Sequence, residues 1–124
     1  LVQHELQHRT TVTSFWIDTL LSFHACLPAV PLIWLVDRSI VRQIGDLDGV
    51  LRIAARRGVR EIALHESDLG EQECRLADAV GLALGAYAVN DAKSIQRMFD
   101  LGVTVFTTNR PDLALQERSE RARR

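Results

Sequence analysis

The feature that most restricts this chain is a repeated alternation of two patterns. Short apolar or β-branched runs, at Thr11–Phe15, Leu32–Val36, Val59–Leu64, Leu82–Val89 and Val103–Thr107, read as strands. Between and after them lie segments with apolar residues at helical spacing: Trp16–Leu27, Leu47–Arg57, Glu71–Val80, Asp91–Leu101, and a last one from Pro111 into the arginine-rich end. Stop signals agree with this reading. Pro28 and Pro31 close the first helix, Gly58, Gly81 and Gly102 follow the next three, and Asn90 is expected to cap the fourth. Strands joined through helices by short connections must run parallel, with right-handed crossovers. The unbroken apolarity of Leu32–Val36 calls for cover on both faces. The expectation is an α/β fold of parallel βα units, either an open doubly wound sheet or part of a barrel, and the pattern alone does not separate the two.

In parallel α/β architectures, ligands gather where loops leave the C-terminal ends of strands. Those ends are Ser14-Phe15, Asp37-Arg38, His65-Glu66, Tyr87–Asn90 and Thr107–Arg110. His65 and Glu66 have acid–base or metal potential, but adjacent residues on an extended strand point to opposite faces and would not share a metal without a bend. His4 and His8 stand four apart as helical zinc ligands do, yet no third ligand follows at a suitable spacing. His24 reads as a packed or surface residue. No glycine-rich phosphate cradle occurs, and Ser14 lacks the flanking glycines of a nucleophile elbow.

Composition narrows the partners. Over 124 residues the net charge is −1, which gives no general drive toward nucleic acid or an anionic membrane. The four arginines between Arg118 and Arg124 suit a solvated helix end. No apolar run approaches the roughly 18 residues of a membrane span, and no secretory signal opens the chain. Cys26 and Cys74 form no disulfide framework, so a reducing cytoplasm is expected. The chain opens on Leu1 rather than Met, as expected of a piece cut from something longer.

Two blocks near the end carry a resemblance. Gly85-Ala86-Tyr87-Ala88-Val89-Asn90-Asp91 resembles a block that reads V-x-x-W-T-V-N in glycerophosphodiester phosphodiesterases. Leu101-Gly102-Val103-Thr104-Val105-Phe106-Thr107-Thr108-Asn109-Arg110-Pro111-Asp112 resembles that family's L-G-V-D-G-I-x-T-D/N-x-P-D. Ser14-Phe15 and Ala29-Val30-Pro31 match two earlier features, an S-F strand end and a P-x-I-P, in the right order. The matched region runs from about residue 12 to 115 of a single partial domain, 1–124.

The resemblance implies the C-terminal half of a TIM-type barrel that hydrolyses glycerophosphodiesters to glycerol 3-phosphate and an alcohol, normally with Ca²⁺ or Mg²⁺. The family's chemistry lies in an H-R-G motif, an E-x-D pair, an H-D and an E-x-K strand, all ahead of the S-F strand. None of these is identified in this chain, and His8-Arg9 is followed by Thr10 where glycine is needed. The chain is therefore expected to hold no catalytic or metal-binding residue and to be inactive alone. Tyr87, Asn90 and His65 are the candidates for lining a substrate pocket, although Tyr87 replaces the family's tryptophan, Ala88 its threonine and Asn109 the commoner aspartate. A glycerophosphodiester would be the partner only once the missing half is supplied. The alternative is a non-catalytic half-barrel, an oligomerisation or interaction module, because open sheet edges favour self-association.

Overall fold

A computed structural model describes residues 10–123. Four parallel strands, β1 (Val12–Ser14), β2 (Leu32–Val36), β3 (Glu61–His65) and β4 (Ala83–Tyr87), form one sheet in the order β1-β2-β3-β4. Helices α1 (Ile17–Cys26), α2 (Arg38–Ile44), α3 (Leu47–Arg56), α4 (Glu71–Ala79), α5 (Ala92–Leu101) and α6 (Pro111–Ala122) follow and connect them. Strand order equal to chain order is what successive right-handed βα units produce as they advance around a barrel.

The register sorts the strand residues onto two faces. Leu32, Trp34, Val36, Ile62, Leu64 and Ala86 pack with Val50, Leu51 and Ala54 of α3 and with Ile95 and Met98 of α5, forming the main core. The opposite face carries rows of paired residues: Ile33–Glu61–Ala83, then Leu35–Ala63–Gly85, then His65–Tyr87. Such layering is how a barrel interior is filled. Ile33 and Ala63 are buried there, whereas Glu61, near the opposite end of its strand from His65, has its carboxyl held above the usual range by burial. Among the described residues this face is narrowed by alanine and glycine.

Four readings need correction. The fifth strand, Val103–Thr107, is reduced to a single parallel bridge between Ala86 and Phe106, held by Ala86 N donating to Val105 O (3.2 Å) and Thr107 N to Ala86 O (3.0 Å). The segment is largely exposed, so its β-branched residues have little to pack against. Helix α2 went unread because seven residues show too little periodicity, although Asp37 caps it through Ile40 N (3.0 Å). The cap of α5 is Asp91, whose Oδ1 accepts from Ser94 N (2.7 Å), rather than Asn90. The polar loop after β3 is a 3₁₀ turn, Glu66–Asp68.

Within the arginine-rich end Arg118 and Arg123 are exposed, as a solvated helix end requires, while Arg121 is anchored. Arg121 on α6 donates to Glu117 Oε1 (2.7 Å), Asp100 Oδ1 (2.7 Å) and Gln96 O (3.2 Å), and its guanidinium lies 5.2 Å over the Phe99 ring. This ties α6 to α5 and accounts for a nearly buried Glu117.

Candidate functional site

The strand ends meet across the sheet. Neighbouring strands lie ~4.8 Å apart, so three intervals separate β1 from β4 by ~14 Å in a flat sheet. Yet the ring of Phe15, just past β1, meets that of Tyr87, at the end of β4, edge to face at 5.5 Å between centroids. Tyr87 Oη also donates to the carbonyl of Val36, at the end of β2, across 3.2 Å. The sheet is curled like an arc of barrel wall, and Tyr87 lies inside the curl.

His65 completes the aromatic set, its ring 5.6 Å from Tyr87 and perpendicular to it. Its Nδ1 accepts from Ser67 N (3.2 Å) and lies 2.8 Å from Ser67 Oγ. With Nδ1 accepting, Nε2 is the ring nitrogen left to donate. The 3₁₀ turn beneath it is pinned from two helices. Arg97 on α5 donates to Leu69 O (2.6 Å), to the Glu66 carbonyl and to Glu66 Oε2 (3.4 Å), which also accepts from Ser94 Oγ (3.2 Å). Arg38 on α2 donates from Nε to Asp68 Oδ1 (2.6 Å).

These residues border a groove of about 400 Å³ lined by Asp37, Arg38, Ser39, His65, Ser67, Asp68 and Tyr87. A second hollow of about 300 Å³ shares Asp37, Arg38 and Asp68 and runs toward Val41, Leu47 and Glu73. The Ser39 hydroxyl (2.6 Å) and the Ile40 N–H hold the Asp37 carboxyl below the usual carboxylate range, so it is ionised at neutral pH. Burial, with the charges of Asp37 and Asp68, pushes the Tyr87 phenol up. Tyr87 is therefore a neutral ring and a hydrogen-bond donor, not a base.

Of the three pocket candidates, the fold brings Tyr87 and His65 together. Asn90 lies in the adjoining loop, where its Oδ1 accepts from Asn109 N (2.7 Å). The chain reaches that position through Ala88, whose φ of +62° costs a non-glycine residue ~1 kcal/mol. Ser14, the other strand-end hydroxyl, accepts from Trp16 N (3.0 Å). His4 and His8 lie outside the described residues.

Two features of the site escaped the sequence reading. Asp37 stands one residue beyond a strand and begins a helix, which is a readable cap signal, but its place in the groove depends on the curl. Glu66-Ser67-Asp68 does spell E-x-D, though it follows the third strand rather than preceding the first, and both carboxylates are engaged by arginines. Among the described residues, no three of His, Cys, Asp and Glu gather as a metal-binding set.

Comparison with known proteins agrees with this geometry. A protein from Agrobacterium tumefaciens assigned as a glycerophosphoryl diester phosphodiesterase superposes with a TM-score of 0.92 and is 31% identical, covering 100% of this chain and 49% of that one. The chain is similar to part of the glycerophosphodiester phosphodiesterases. The Bacillus subtilis glycerophosphodiester phosphodiesterase is 28% identical over 115 residues, 91% of this chain and 38% of the relative. A Silicibacter pomeroyi protein assigned to the same activity shares the fold alone, at 20% identity and a TM-score of 0.79 over 90% of this chain and 38% of its own. No family model matches the chain. The chain thus spans half or less of the length of these glycerophosphodiester phosphodiesterases, and corresponds to the C-terminal half of their barrel.

Proposed function

We propose that this chain supplies the C-terminal wall of a glycerophosphodiester phosphodiesterase barrel, in which glycerophosphodiesters are hydrolysed to glycerol 3-phosphate and an alcohol. The observation that carries the reading is Tyr87 reaching both Phe15 and the Val36 carbonyl, because a curled parallel sheet aims its strand-end residues at one shared opening. In this role Tyr87 and His65 line and shape the opening, the Asn90–Asn109 bond fixes two of its loops, and Arg97 and Arg38 hold the turn that presents His65.

Among the described residues, those of the groove do not fit a Ca²⁺ or Mg²⁺ site. The groove carboxylates are one helix cap, Asp37, and one arginine partner, Asp68. The attacking group, the acid and base, and the metal ligands therefore belong to the complementary half of a barrel. The chain alone, incubated with glycerophosphocholine and Ca²⁺ or Mg²⁺, is expected to release no glycerol 3-phosphate above a protein-free blank. Turnover that survives repurification and disappears with chelator would place a complete active site within these 124 residues.

The open edge of β1, an end strand of the described sheet, supports a second reading: a half-barrel that pairs with another chain. Light scattering on the same preparation separates the two. A stable, silent dimer favours the interaction module.

A further inference from the structure

Glu61 is the only acidic residue within the four strands, and it stands on the inner face of the curl. It shares that face with Ala63 and a row with Ile33 and Ala83, while Ile62 and Leu64 point the other way, into the helix-covered core. Among the described residues its carboxylate forms no ion pair and accepts no hydrogen bond. Burial raises the carboxyl above its usual range, and no cation offsets that. The other titratable groups at this end, Arg60 and His24, are exposed and border a hollow of about 290 Å³ that extends to the half-buried Glu61.

Closing a barrel changes this environment. The interior is filled by layers of side chains drawn from alternate strands, so the row of Ile33 and Glu61 becomes part of a floor that excludes water. A carboxylate there is costly unless a donor meets it, and lysine and arginine supply the strongest donors. Ala83, opposite Glu61 in register, is small and exposed, which leaves room beside the carboxylate for a long side chain arriving across the interior.

We propose that Glu61 is a docking point for the complementary half, which presents a lysine or arginine inward at the floor of the barrel to pair with it. Glu61 begins β3 and His65 ends it, so the pair lies at the far end of the strands from the groove and acts in assembly rather than in the chemistry. The proposal rests on reading the chain as one half of a barrel, and adds the charge that the other half must carry.

The whole chain is compared with the chain joined to the first half of the Agrobacterium tumefaciens relative, each with and without Glu61→Gln. In the chain alone the amide relieves an unpaired carboxylate, so at neutral pH the variant is expected to melt at the same temperature or higher. In the joined barrel it removes one partner of an ion pair, and is expected to lower the melting temperature by about 2–4 °C. Carboxyl-labelled glutamate, assigned with the same variant, follows the titration by NMR. The Glu61 midpoint is expected to fall by about 1–3 pH units on joining. Ring signals of Tyr87, the one tyrosine, report whether the strand ends stay intact in each variant. A midpoint that stays raised in a cooperatively melting joined barrel overturns the proposal, and so does a Glu61→Gln variant that stabilises both proteins; the half-barrel reading survives either result. A joined protein that does not melt as one unit overturns that reading, and this proposal with it.

Discussion

Met98→Ala lowers the stability of this chain by about 2–5 kcal/mol, the cost of deleting a fully buried methionine and leaving a cavity. Met98 is completely inaccessible in the main core, on the face of α5 that also buries Ile95. The damage reaches the groove, because α5 also carries Ser94 and Arg97, which hold Glu66 and the turn behind His65. Urea unfolding followed through the buried Trp34 measures the loss. Met98→Leu, nearly equal in volume, costs less than about 1.5 kcal/mol and serves as the control. Equal small effects from both would mean that α5 does not pack as described.

Gly85→Ala is expected to cost about 1–3 kcal/mol, through a collision rather than a cavity. A methyl group there falls 2.8 Å from the Val105 carbonyl oxygen, a backbone atom with little room to yield. The segment 103–107 then has to leave β4, losing the bonds at Ala86 and the Val89 N–H to Thr107 O bond (3.1 Å). Gly85 shares its face with Tyr87, so the Tyr87 ring signals should shift along with stability. A variant with unchanged melting and unchanged Tyr87 signals would show that the close approach of these segments is absent in solution.

The parallel βα scheme was legible because each strand is short, apolar and bounded by a proline, a glycine or a polar turn, and these are local signals. Four of the five expected strands appear, within a few residues of their expected ends. Val103–Thr107 has equally strong β character but only one bridge to a neighbour, and strand formation depends on neighbours that local sequence does not specify. The cap of α5 slipped by one residue because Asn90 and Asp91 are both good caps, and the choice between them was settled by Asn90 bonding Asn109. Tyr87 and His65 were legible as strand-end residues. Their contact with each other and with Phe15 was not, since it follows from sheet curvature, which no single segment encodes. Asp37 was likewise legible as a strand-end residue, but its place in the groove was not, for the same reason.

The most direct test of the half-barrel account is to join the first half of the Agrobacterium tumefaciens relative to this chain, at the boundary set by their superposition, and follow release of glycerol 3-phosphate from glycerophosphocholine. The account predicts metal-dependent turnover by the joined barrel, none by either half alone, and weakened turnover when Tyr87 is replaced by leucine. A joined barrel that folds cooperatively, binds metal and still releases no glycerol 3-phosphate would contradict it.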